Sequence, residues 1–204
     1  MPNLSIPALT ICLLCGGLAA CQQPHAGAPA PAPAAPSEPS AAERDQVIGQ
    51  ATAAIQPFKK KLSEALTGAI AQGGPLAAID VCREQAPRLA AEASTPALTV
   101  GRSALKLRNP GNAARDWLKP VLGELAALPS AEGKQRVVRL DAQRFGYVEA
   151  ITLKPPCATC HGSELAAPLA AKIKERYPQD QATGFQPGQL RGVFWAEVAL
   201  ARAP

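Results

Sequence analysis

The hydrophobic period changes once along this chain, and that change limits the fold class. Across residues 43–72 the apolar positions Val47, Ile48, Ala51, Ile55, Phe58, Leu62, Ala65, Leu66 and Ile70 recur at helical spacing. Gly73-Gly74-Pro75 closes that segment. A second helix is expected after Pro75, with Ile79, Cys82, Ala86 and Leu89 on one inward stripe and Pro87 kinking or shortening it. Residues 98–106 are strand-like, Arg108-Asn109-Pro110-Gly111-Asn112 is turn chemistry, and residues 115–128 return to helical spacing. Residues 135–140 and 145–153 are β-branched and aromatic with a short turn between them, which predicts a hairpin. One more helix is expected over 164–175. Leu190, Gly192, Phe194, Ala196, Val198 and Leu200 alternate with their neighbours as a half-buried strand. Helices first and antiparallel strands later make an α+β architecture.

The folded part is shorter than the 204-residue chain, because Pro 21 and Gly 16 are high and the aromatic share is only 4%. Residues 6–20 are an uncharged apolar run that ends in Leu18-Ala19-Ala20-Cys21. This reads as an export signal over 1–20 whose ending resembles a bacterial lipobox, with Cys21 as the lipid-bearing first residue after cleavage. Residues 1–10 carry no Lys or Arg, a departure from the usual basic start of such signals that points to a displaced start codon or an unusual signal. Residues 21–42 are Ala-, Pro- and Ser-rich and read as an extended tether that holds His25, which leaves 43–204 as the folded domain. No Asp follows Cys21, so a lipid-anchored protein on the periplasmic side of the outer rather than the inner membrane is expected. The net charge of +5 comes without a dense basic run, and nucleic acid is therefore excluded as a partner.

Three cysteines remain in the body, Cys82, Cys157 and Cys160, which is no even set for a disulfide framework. Cys157-Ala158-Thr159-Cys160-His161 has the C-x-x-C-H form that attaches c-type haem, with both thiols adding to the haem vinyl groups and the histidine giving a nitrogen to iron. Covalent attachment takes place outside the cytoplasm, in agreement with the export signal. A thioredoxin-type redox pair would need a βαβ setting, and Pro155-Pro156 precede the motif instead. A zinc site would need Cys82, Cys157, Cys160 and His161 on one centre, and the neighbouring Cys160 and His161 are poorly disposed for that. A structural disulfide between Cys157 and Cys160 is the third competitor.

The second axial position is approached by counting donors. The one methionine is Met1, inside the signal, and the other histidine is His25, in the tether. Cys82 is the remaining strong donor, on the inward stripe of its helix, and its ordinary alternative is a small buried hydrophobe. An open position, or Tyr147, Tyr177 or a lysine, stays as the other choice. Thiolate ligation would stabilise ferric iron and give a low reduction potential, which suits sensing or low-potential electron exchange.

Four ordered segments resemble a known family, the c-type haem-binding PAS-like domain long described only as a domain of unknown function. It occurs alone and at the extracytoplasmic end of histidine kinases. The segments are Ala78-Ile79-Asp80-Val81-Cys82-Arg83-Glu84-Gln85-Ala86-Pro87, Leu105-Lys106-Leu107-Arg108-Asn109-Pro110-Gly111-Asn112 and Cys157-Ala158-Thr159-Cys160-His161-Gly162. The fourth runs from Tyr177-Pro178-Gln179-Asp180-Gln181-Ala182-Thr183-Gly184-Phe185 into Gly188-Gln189-Leu190-Arg191-Gly192. The resemblance implies a PAS-like antiparallel sheet flanked by helices, one covalent haem c, and axial ligation by His161 and Cys82. Arg102, Lys106 and Arg108 are candidate partners of the haem propionates, with Arg108 carried as the cofactor-binding residue. Trp117, Trp195, Phe194 and Tyr147 are read as core. Ala114-Arg115-Asp116-Trp117-Leu118-Lys119 departs from the family's Pro-Asp-x-Trp-Glu.

The expected function is a redox or small-ligand sensor or a low-potential electron carrier, not an enzyme. No output module is expected before Pro204, so a separate redox or signalling protein is the expected partner. A haem peroxidase with an open distal face lacks a second histidine for acid–base work, and a haem-free lipoprotein with a Cys157–Cys160 disulfide is the other alternative.

Overall fold

A capping box starts the first helix. In the computed structural model, which describes residues 38–201 of the unit Ala35–Pro204, Ser40 N donates to Glu43 Oε2 at 2.8 Å and Glu43 N donates to Ser40 Oγ at 3.3 Å. The expected signal over 1–20, the expected lipid site Cys21 and His25 of the expected tether lie outside the described residues. Helix α1 spans Ala41–Asp80 and buries Val47, Ala51, Ile55, Phe58 and Leu62 on one face. Gly74 adopts φ 68° and ψ −170°, a left-handed conformation that suits glycine, so the break expected at Gly73-Gly74-Pro75 is a kink within one long helical run.

The helical path then widens into a π-turn at Val81–Gln85 and resumes as α2, Ala86–Glu92, with Pro87 in its first turn where no backbone donor is required. Strand β1 covers Leu98–Ser103, α3 Leu118–Ala127, β2 Gln135–Arg139 and β3 Arg144–Thr152. Two short helices follow, α4 at Ala158–His161 and α5 at Ala167–Arg176, before β4 at Leu190–Ala199. Helix α3 begins three residues later than its spacing predicts. Residues 115–117 form a turn in which Trp117 Nε1 donates to Glu197 at 2.6 Å.

The four strands form one antiparallel sheet in the order β1-β4-β3-β2. This is the α+β, PAS-like arrangement: a four-stranded antiparallel sheet behind a long N-terminal helix. One face packs Val100, Tyr147, Phe194, Ala196 and Val198 against α1. The other face packs Val148, Val193 and Trp195 against Leu118, Val121, Leu122 and Leu125 of α3. The central strand β4 is thus covered on both sides, not half-buried as its alternation predicts, because α3 supplies a second layer. Each buried aliphatic or aromatic side chain contributes about 1.5–3 kcal/mol of transfer free energy. Trp117, Trp195, Phe194 and Tyr147 all lie in or against these two cores.

Between Ile151 and Thr152 the pairing slips, with Ile151 opposite Gly192 and Thr152 opposite Leu190. Arg191 is the extra residue of this bulge. Such irregularities re-aim a side chain, and here they do so at the end of the sheet nearest α4.

Candidate functional site

The Cys157–His161 segment is built on prolines. Pro155 and Pro156 open a tight 3-10 turn at Pro155–Cys157 that leads directly into α4, so both cysteines and the histidine fall on one short helical surface. Cys82, Cys157 and Cys160 are free thiols; Cys157 is exposed and the other two are half-buried. Cys160 packs against the cluster of Ile79, Leu169, Ile173 and Tyr177. Ile79 belongs to the last turn of α1, immediately before the π-turn that carries Cys82, and Cys82 lies within charge reach of Cys160 and Tyr177. The fold therefore brings together the two regions that sequence reasoning singled out. Burial pushes the Cys160 thiol up, and burial followed by the Cys82 charge pushes Tyr177 up to about 12.

His161 is held in one tautomer. Its Nδ1 lies 2.7 Å from the carbonyl oxygen of Ala182. A carbonyl only accepts, so Nδ1 carries the proton and Nε2 keeps a free lone pair. Arg191 Nε, 3.2 Å from the same Nδ1, consequently stands beside the ring without donating to it. Burial first, then the charges of Arg191 and Arg108, lower the His161 pKa to about 3, so the ring is neutral at ordinary pH. The backbone is stitched alongside, with Phe185 N donating to His161 O at 3.0 Å and Gly184 N to Gly162 O at 2.9 Å. Gly184 makes this possible at φ +78°, where a side chain is strained.

Arg108 underlies this stitching. It is 6% exposed and pairs with Asp180, 9% exposed, through Nε to Oδ1 at 3.1 Å and Nη2 to Oδ2 at 3.2 Å. The same Nη2 donates to Cys160 O at 2.6 Å and Ala182 O at 3.3 Å. Asp180 Oδ1 also accepts from Ala182 N at 3.0 Å. One buried ion pair thus ties the Cys157–His161 segment to the turn that orients the histidine. Lys106 donates to Thr183 O at 2.8 Å on the same turn.

Sequence reasoning assigned no role to three residues here. Arg176 of α5 forms ion pairs with Asp80 at 2.6 Å and Glu84 at 2.9 Å, and its carbonyl accepts from Arg83, so both sides of Cys82 are anchored to α5. Asp180 sits in the Tyr177–Phe185 segment, where the sequence shows it only as part of the family resemblance. Arg191 is delivered by the β4 bulge, a basic residue beside the buried Gly192 and Val193 being the one local sign of its role. Tyr147 lies apart, fully buried among α1-facing core residues, with Glu149 as the charge beside it. Among the described residues no three His, Cys, Asp or Glu side chains gather to cage a metal ion.

The sequence model of the Tll0287-like family matches residues 35–199. No curated protein matches the chain. The fold is similar to the crystal structure of the cyanobacterial heme-protein Tll0287, with a TM-score of 0.54 and 23% identity over 81% of this chain and 100% of that one.

Proposed function

The chain belongs to the Tll0287-like family, and from that premise we propose that it is a haem protein holding one haem c through thioethers to Cys157 and Cys160. In this reading His161 Nε2 and Cys82 Sγ would hold the iron, and the protein would be a redox or small-ligand sensor or a low-potential electron carrier, not an enzyme. The single observation that carries the reading is the His161 ring: neutral, with Nδ1–H bound to a backbone carbonyl and Nε2 left over as a donor. The rest of the donor set fits as well. Two thiols at x-x spacing stand beside that ring, and a third thiol approaches from a different element.

When bound, the haem supplies a one-electron Fe(III)/Fe(II) couple. The chain's own residues do the remainder. Ala182 O fixes the tautomer and direction of the imidazole, and Arg108 with Asp180 keeps the Cys160 carbonyl and the 180–182 turn in register. Arg176 holds Asp80 and Glu84 so that the π-turn presents Cys82. Ile79, Ile173 and Tyr177 exclude water from the side on which Cys160 lies. A thiolate from Cys82 would favour the ferric state, which would suit a low-potential or sensing role.

Export by residues 1–20 and a lipid on Cys21 would set this domain on the periplasmic side of a bacterial membrane, at the outer membrane. A redox or signalling protein would then be its partner. The apolar run, the Leu-Ala-Ala-Cys ending and the absence of an Asp after Cys21 support this part.

The test is expression with the periplasmic haem-attachment machinery, followed by denaturing electrophoresis with haem staining, absorption and electron paramagnetic resonance. Covalent haem with a low-spin thiolate signal that Cys82→Ala removes is the expected result. A colourless chain, or a spectrum unchanged by Cys82→Ala, overturns the haem or the ligation respectively.

A further inference from the structure

Three arginines, Arg102, Arg108 and Arg191, come from β1, the loop after it and β4, and Arg191 lies within charge reach of the other two. Only Arg108 has a carboxylate, its partner Asp180. Arg102 is half-buried on the α1-facing side of β1, opposite Phe194 and in line with the buried Val100. Among the described residues its side chain makes no hydrogen bond or ion pair, and the ionisable groups near it are Cys82, Tyr177 and Arg191. Arg191 lies over the Phe185 ring at 5.3 Å and touches Lys106 O at 3.4 Å, and neither contact cancels its charge.

Two guanidinium groups lacking carboxylate partners in one half-buried site are expensive, and each opposes the other. The arrangement calls for two anionic groups. Resting on the haem reading, we propose that the propionate carboxylates of the haem are received by Arg102 and Arg191, while Arg108 serves to hold the protein's own Asp180. The charges then balance. A ferric porphyrin carries one positive charge, which the Cys82 thiolate cancels, and two propionates meet two guanidinium groups, whose planar forks match carboxylates. Arg108 is unsuited because Nε and Nη2 are already committed to Asp180 and two carbonyls. Lys106 is likewise committed, to Thr183 O and the Phe185 face.

The experiment compares the full haem-loaded chain with Arg102→Gln, Arg191→Gln, Arg102→Lys and Arg108→Gln. Attached haem is quantified first, then the reduction potential is titrated across mildly acid to neutral pH. A propionate left without its arginine stabilises the ferric state and takes up a proton more readily. Arg102→Gln and Arg191→Gln should therefore lower the potential at neutral pH and move its pH-dependent segment upward. Arg102→Lys should restore most of the Arg102→Gln shift. Arg108→Gln should lower stability and loosen the 180–182 turn that orients His161, so its readout is the fraction of attached haem rather than the pH-dependent segment. Potentials and pH profiles of both Gln variants identical to the parent overturn the proposal and leave the haem reading standing, as does a shift confined to Arg108→Gln. A parent chain without covalent haem overturns the haem reading itself, and the proposal with it. A crystal structure of the loaded chain decides between the arginines directly: propionate oxygens within hydrogen-bond distance of Arg102 and Arg191 support the proposal, and propionate oxygens on Arg108 instead overturn it.

Discussion

Arg108 and Asp180 are joined by two nearly equal contacts, 3.1 and 3.2 Å, in a place where both are almost wholly buried. Removing one partner of such a pair leaves a desolvated charge. Asp180→Asn is expected to cost about 3–5 kcal/mol in chemical denaturation, well above what an exposed pair contributes. The double variant Arg108→Met with Asp180→Leu should recover part of that loss in folding while loosening the turn that holds Ala182 O. A loss of about 1 kcal/mol or less for Asp180→Asn, the range of an exposed pair, would mean the pair is solvated in solution.

Arg176 anchors the two acidic residues that flank Cys82, at 2.6 Å to Asp80 and 2.9 Å to Glu84. Its side chain is partly exposed, so Arg176→Gln should reduce stability by no more than about 1 kcal/mol. Helix α5 stays docked through Leu169, Ile173 and Tyr177. The informative readout is spectroscopic. In the haem-loaded protein the thiolate resonance should broaden or split as the π-turn samples more than one orientation. An unchanged resonance would reduce Arg176 to an ordinary surface partner.

The elements were legible in the sequence where periodicity acts locally. Helix α1, the β2–β3 hairpin and β4 follow their spacing to within a few residues. The covering of β4 on both faces was not, because alternation at 190, 192 and 194 describes one face only. Val193 and Trp195 on the opposite face are the residues that would have corrected it. The Cys157–His161 segment and Cys82 stand out by composition, since few other donors exist to compete with them. The π-turn has no periodic signature, being a single extra residue between two ordinary helical stretches. Nor has Arg108 with Asp180, partners 72 residues apart whose meeting depends on the whole sheet. The aim of Arg191 follows from a one-residue slip at Ile151 and Thr152, which no local pattern announces.

Gly184 carries φ +78° at the point where the 182–185 turn is stitched to His161 and Gly162. Gly184→Ala places a Cβ in left-handed backbone at a cost of about 1–2 kcal/mol. For a domain of this size the melting temperature should fall by about 2–4 °C per kcal/mol. Attachment of haem should become less efficient as well, because the His161 carbonyl loses a firm partner. Gly188→Ala is the comparison: it too has positive φ, +87°, but its N–H bonds Leu153 O rather than His161 or Gly162, so it should lower stability without loosening the His161 carbonyl.

Glu43 joins the capping box of α1 to the sheet through Arg139 at the end of β2. The hydrogen bond from Arg139 first, then those from Ser40, lower its carboxyl from 4.5 to about 2. A carboxylate depressed in the folded state adds stability that is complete above its unfolded value and is lost as pH falls towards its folded one. The Glu43 contribution should therefore be intact at neutral pH, decline from about pH 4.5, and be gone below about pH 2. Asp141, lowered from 3.8 to about 2 by the backbone N–H of Gln143 and by Arg144, behaves alike in the β2–β3 turn. Melting curves of the parent, Glu43→Gln and Glu43→Gln with Asp141→Asn through that window check this. The parent should lose stability most steeply, and each substitution should flatten the fall while lowering stability at neutral pH. Parallel curves for all three would show that the acid response arises elsewhere.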